Sequence, residues 1–157
     1  MPRSYRSTIR YIKADARYDS MLVTKFVNCM MRDGKKRVAY EIFYKAMDEI
    51  SERLADKEAL EVFTTALTNV KPLIQVRSRR VGGTTYQVPM AVKRKRATML
   101  GMRWILDAAR KKKGRPMHKR LADELIMAYR KEGSAMSTRD QVHKMAEANK
   151  AFAHLSW

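Results

Sequence analysis

The sequence predicts a mainly α protein: a single six-helix bundle with a protruding two-stranded β-hairpin and an extended basic N-terminal arm. Three observations predict it. Apolar residues recur at helical spacing in six separate stretches of the 157-residue chain. One stretch, VRSRRVGGTTYQVP at residues 76–89, breaks that pattern with β-formers around a Gly-Gly pair. The connections are short, and the length is that of one domain.

Residues 1–19 hold five basic residues and two acids without useful period, and read as the arm. Residues 20–157 read as one helical domain that includes the hairpin at 73–90. Leu22, Val23, Phe26, Val27 and Met30 mark the first helix after a Ser20 cap, with Asp33-Gly34 as its stop and Gly34 at the C′ position. Ala39, Ile42, Phe43, Ala46, Met47, Ile50 and Leu54 mark the second helix. Leu60, Phe63, Ala66, Leu67 and Val70 mark the third, which Pro72 stops. After the hairpin, Ala97, Leu100, Trp104, Ile105 and Ala108 mark a fourth, closed by a basic run and Gly114. Leu121, Ala122, Leu125, Ile126 and Tyr129 mark the fifth. Thr138 with Gln141 reads as a capping box for the sixth, with Val142, Met145 and Ala146 on its inner face.

The hairpin admits two registers. A two-residue turn at Gly82-Gly83 sets Val76 opposite Pro89 and Arg79 opposite Tyr86, mixing apolar and charged residues on both faces. A three-residue loop, Val81-Gly82-Gly83, sets Val76 opposite Val88, Ile74 opposite Met90, Arg77 opposite Gln87 and Arg79 opposite Thr85. The second sorts one apolar face from one polar face, and is the expectation. A two-stranded ribbon is marginal alone, so its polar outer half is expected to order against a partner.

Charge bounds the function. The chain carries 34 Lys+Arg against 16 Asp+Glu, a net of +18. The excess is concentrated: residues 72–120 hold fifteen basic residues and one acid, Asp107. A merely solvated surface intersperses acids, as residues 20–71 do with nine basic and eight acidic side chains. A polyanion-binding surface is the reading, with nucleic acid ahead of an acidic membrane. No apolar run suits a bilayer span, and the start lacks the apolar core of a secretory signal. Its Arg-rich, acid-poor composition leaves an organelle transit peptide as a second reading.

Catalytic and metal chemistry lack their residues. Cys29, the single cysteine, sits among apolar neighbours and reads as a small buried hydrophobe. His118, His143 and His154 are scattered, so no metal site is expected, and no cofactor. Gly34-Lys35-Lys36 echoes a phosphate loop but lacks its upstream glycine and its Ser/Thr. No acid–base pair is available in the basic segment, so the protein reads as no enzyme.

Four motifs carry a resemblance. SMLVTKFVNCMMRDGKKRVAYEIFYKA, VRSRRVGGTTYQVP, RWILDAARKKKGRPM and VHKMAEANKAFAHLSW, in that order, resemble the family of the seventh protein of the small ribosomal subunit, in its bacterial form. The resemblance spans nearly the whole chain and is weakest in the arm. It implies six helices with a protruding hairpin, and a ribosome-bound, cytoplasmic structural protein that is a monomer within the ribosome. It implies direct binding to small-subunit ribosomal RNA in the head domain and a start to head assembly. It further implies contact with exit-site tRNA, with mRNA and with the eleventh small-subunit protein, and in some bacteria repression of the operon's own messenger. The residues expected against ribosomal RNA are Arg3, Arg6 and Arg10 in the arm, Lys35, Lys36 and Arg37 at the first inter-helix loop, and Arg77 on the hairpin. Lys93, Arg94, Lys95 and Arg96 join them before the fourth helix, and Lys111, Lys112, Lys113, Arg115 and Lys119 after it. Arg79, Arg80, Val81, Gly82, Gly83 and Thr84 at the hairpin tip, with Asn149 and Lys150 near the chain end, are expected beside tRNA and mRNA.

Two other classes compete. An architectural nucleic-acid-binding protein with a ribbon arm fits the same charge and would bend duplex DNA. An RNA-modifying enzyme would need the acid–base constellation that the sequence lacks.

Overall fold

The computed structural model describes residues 11–155. Six α-helices and one hairpin form around a common core: α1 (Met21–Met30), α2 (Lys36–Arg53), α3 (Ala59–Val70), β1 (Ile74–Val81), β2 (Thr84–Ala91), α4 (Arg94–Lys111), α5 (Met117–Tyr129) and α6 (Ser134–Ala148). A 3-10 segment, Lys150–Leu155, follows α6 and was not foreseen. No helix among the described residues is long and apolar enough to cross a membrane.

The core centres on three rings. Phe63 of α3 meets Phe26 of α1 edge-on at 5.2 Å and Phe43 of α2 edge-on at 5.4 Å between ring centroids. This arrangement sets each ring's positive edge against its neighbour's negative face. All three are fully buried. On α4 the buried side is Met102, Ile105, Leu106 and Ala109, while Trp104, expected in the core, is only partly buried. Gly101 brings α4 close to α3: a Cβ there would lie 3.2 Å from Leu67 Cδ1.

Three local expectations are corrected. First, α1 ends at Met30, and Asp33 (φ 52) and Gly34 (φ 71) build a left-handed turn inside the loop rather than the helix stop. Second, α6 starts at Ser134, not at Thr138, whose hydroxyl donates to Ser134 O within the helix at 3.0 Å. The start is set from outside the helix. Gly133 takes φ 93, and the carboxylate of Glu124 on α5, wholly buried, accepts the Ala135 N–H at 2.9 Å. That carboxylate does the work of a capping side chain. Its other oxygen lies 2.8 Å from Lys112 Nζ. With the cap moved five residues upstream, from Thr138 to Gly133, Ala135 and Met136 become buried positions beside Ala146, Val142 is half-buried, and Met145 turns outward.

The third correction is the hairpin. The turn is the two-residue Gly82-Gly83, with φ 56 and 86, and the pairs are Val76–Pro89, Arg77–Val88, Arg79–Tyr86 and Val81–Thr84. Two consecutive positive-φ residues make the turn whose twist matches the strands, and glycine adopts it without a Cβ penalty. The mixed face that argued against this register is tolerated because other parts of the chain cover it. Val88 is fully buried, Tyr86 packs on Phe152 at 5.2 Å, and Arg79 Nη1 donates to Leu155 O. The ribbon therefore orders against the chain's own C-terminal segment. Ile74, placed on the inner face by the odd-length loop, is exposed.

The second half of the arm is anchored. Asp15 is buried; its Oδ2 accepts the Arg17 and Tyr18 N–H groups at 3.1 Å each, and its Oδ1 accepts the Tyr44 hydroxyl at 2.7 Å. Burial first, and this bond second, push the Tyr44 phenol well above its ordinary value.

Candidate nucleic-acid interface

The basic residues gather at the two ends of α4. At about 1.5 Å per residue, this 18-residue helix separates them by roughly 25 Å. At its start, Lys93, Arg94, Lys95 and Arg96 are all exposed, and no carboxylate lies in the first turn. Cations at a helix N-terminus add to the partial positive charge of its free N–H groups. Folding alone disfavours that arrangement, and an anion relieves it. The Lys71 ammonium is pushed below its ordinary value by burial and then by the Arg94 charge.

At the far end, Arg110 joins α4 to α1 by donating from Nη2 to Met30 O at 2.9 Å. This bond carries the α1–α2 loop to the α4–α5 loop. Lys35 caps α2 and Lys36 opens it, both exposed, with the Lys36 ammonium 5.7 Å from the Tyr40 ring centre. Lys35 then lines one cleft with Arg110, Met117 and Arg120. Two groups that the sequence places about eighty residues apart are neighbours.

Other expected residues stand differently. Arg3, Arg6 and Arg10 lie outside the described residues. Arg37 is exposed and pairs with Glu41 at 3.2 Å, and Arg115 pairs with Asp123 at 3.3 Å. Lys112 is half-buried on Glu124, as described above. Lys111, Lys113 and Lys119 are exposed and make no ion pair with a described residue. On the hairpin, Arg77 is exposed, and so are Arg80, Val81, Gly82, Gly83 and Thr84. Arg80 Nε donates to Gly83 O at 3.3 Å within the turn. Arg79, expected free at the tip, is held by Leu155 O. Asn149 ends α6, donating from Nδ2 to Met145 O at 2.7 Å, and Lys150 is exposed.

Sequence reasoning missed Arg32, Arg103, Arg110 and Arg120. A signal for two of them existed: Arg96, Arg103 and Arg110 recur every seven residues, so they share one side of α4. Arg32 and Arg120 had none, because only the packing of α1, α2, α4 and α5 brings them together.

No group of three or more His, Cys, Asp or Glu side chains able to hold a metal occurs among the described residues. His143 Nε2 accepts the Leu73 N–H at 3.1 Å, so it braces the hairpin base. Cys29 is half-buried, and burial pushes its thiol up, away from the reactive thiolate.

A helical body, a basic two-stranded ribbon and cations clustered at both ends of one helix define a polyanion-docking structural protein. The chain belongs to the ribosomal protein S7p/S5e family, whose model matches residues 2–150. Similar proteins include the small ribosomal subunit protein uS7 of Rhodopirellula baltica, 54% identical over 144 residues, covering 91% of this chain and 92% of the relative. The uS7 protein of Fervidobacterium nodosum is 50% identical over 155 residues, 99% of each chain. That of Borreliella afzelii is 47% identical over 157 residues, the full length of both. The protein is a structural ribosomal protein and not an enzyme.

Proposed function

We propose that the protein docks directly on small-subunit ribosomal RNA of the head domain, starts assembly of the head, and holds its hairpin tip beside exit-site tRNA and mRNA. The observation that carries this reading is the fifteen-to-one excess of cations over residues 72–120, gathered on the hairpin and at both ends of α4. Phosphates are the ligand such a surface takes, with arginines forking onto them in pairs of parallel hydrogen bonds. The docking residues are Lys35, Lys36, Arg37, Arg77, Lys93, Arg94, Lys95, Arg96, Lys111, Lys113, Arg115 and Lys119, with Arg3, Arg6 and Arg10 from the arm. Lys112 contributes mainly through Glu124. The eleventh small-subunit protein meets the apolar base of the hairpin, where exposed Leu73 and Ile74 border a groove of about 500 Å³. The protein acts as one copy, bound to the ribosome.

Changing Lys35 and Lys36 together to Ala should weaken binding to head-domain RNA while shifting stability by only about 0.5 kcal/mol, the usual effect of exposed substitutions. Gel-shift titration and a melting curve on the same preparation check both halves. An unchanged affinity would remove this loop from the interface.

The hairpin tip is the part aimed at a second nucleic acid. Replacing residues 80–85 by Asn-Gly keeps Arg79 opposite Tyr86 and preserves a two-residue turn. The trimmed protein should still enter the head, while tRNA release from the exit site and reading-frame maintenance change. Failure to incorporate would make the tip an anchor instead.

A further inference from the structure

A cleft of about 420 Å³ opens between the α1–α2 loop, α2 and the α4–α5 junction. Its two walls differ in chemistry. Met31, Val38, Ile42 and Met117 make an apolar side. Arg32, Lys35, Arg110 and Arg120 make a cationic side, with Asp33 the one carboxylate on the lining among the described residues. None of the four cations forms an ion pair with a described residue. Arg110 is fixed by its bond to Met30 O, and Arg120 by donating to Lys112 O, so two guanidinium groups are already oriented before any ligand arrives. Burial, and then the Arg32 charge, hold the Arg110 guanidinium below its ordinary value. Arg120 Nε is buried and has no acceptor among the described residues. Such an orphaned donor is costly, and an acceptor carried in by a ligand satisfies it.

We propose that this cleft is a pocket for one unpaired nucleotide extruded from the bound RNA, its base against Met31, Val38, Ile42 and Met117 and its phosphate on Arg32 and Arg110. The inference rests on the RNA-docking reading and adds a recognition element to it. The volume falls within the range of about 300–1,000 Å³ that takes a small organic ligand. A bare phosphate would leave the apolar wall uncovered, and a paired base must leave its stack to enter. Unpaired bases are the part of RNA that proteins read by packing and stacking, including stacking on arginine planes. The pocket therefore supplies a selectivity that phosphate contacts cannot, because phosphates are the same at every position.

The test uses the full-length protein and a head-domain RNA transcript, with gel shift for affinity and base-specific chemical modification for the footprint. Val38→Trp fills the cleft from a position half-exposed in the free protein, and Arg32→Gln removes one phosphate ligand whose side chain bonds to no described residue. Both variants should melt like the wild type. Each should bind about tenfold more weakly, in line with the loss of one charged hydrogen bond or one buried base. Both should expose the same single unpaired nucleotide that the wild type protects, with the remaining footprint unchanged. Wild-type-like binding and footprint in Val38→Trp would overturn the pocket while leaving the docking reading intact, and so would uniform weakening with no nucleotide-specific change. A wild-type protein that binds no RNA would overturn both.

Discussion

Raising the salt from 50 to 200 mM is expected to lower the affinity of this protein for small-subunit ribosomal RNA by about a thousandfold. The effect follows from counterion release: each phosphate neutralised by Lys or Arg frees condensed cations, and the gain shrinks as bulk salt rises. The slope of log affinity against log salt is about −0.9 per contact on duplex and −0.7 on single strands, so six or more contacts produce the drop. The structure holds enough free charge for this. Lys93, Arg94, Lys95, Arg96, Lys111, Lys113 and Lys119 are exposed and make no ion pair with a described residue, so they are ready for phosphate without first breaking an internal bond. Neutralising Arg103, exposed midway along α4, should flatten the slope by about one contact if RNA runs along that helix between its two ends. Titrations at four or five salt concentrations read both quantities. A nearly flat response would mean that apolar or shape contacts dominate, and would overturn the electrostatic reading of the interface.

Phe63→Ala is expected to destabilise the protein by about 3–5 kcal/mol. Phe63 is fully buried and is the ring shared by two edge-on contacts, to Phe26 of α1 and Phe43 of α2. Removing it opens a cavity where three helices meet and forfeits both aromatic pairs. A domain stable by about 5–15 kcal/mol has little margin for such a loss. Trp104→Ala, which deletes a larger side chain, should cost less, because Trp104 is only partly buried at the edge of the core. Urea titration of the two variants, compared at their midpoints, decides the order. The reverse order would move the centre of the core from the α1–α2–α3 junction toward α4.

Helix number and order were legible because each helix is a local pattern. Apolar residues three and four apart commit a segment to one buried face, wherever that face ends up. The concentration of charge was legible for a similar reason: fifteen cations to one acid is a property of composition, and survives any arrangement of the chain. The resemblance to the ribosomal family rested on contiguous motifs, and the family assignment bears it out.

What the sequence left open, or led astray, involved partners distant along the chain. The hairpin register was misjudged because face-sorting treated the ribbon as isolated, whereas Leu155, 76 residues beyond Arg79, takes up that guanidinium. The start of α6 was misjudged because its cap is the Glu124 carboxylate on another helix, so Thr138 and Gln141 were the wrong signal. The cleft with Arg32, Lys35, Arg110 and Arg120 was invisible, since it exists only when Arg110 reaches Met30 across 80 residues. By itself, then, the sequence determined the elements, which depend on neighbours three or four positions away, and the overall charge, which depends on composition alone. The tertiary structure decided which strand residues face each other, which cations are already engaged, and which converge on empty space, because these depend on groups that meet only after the helices have packed.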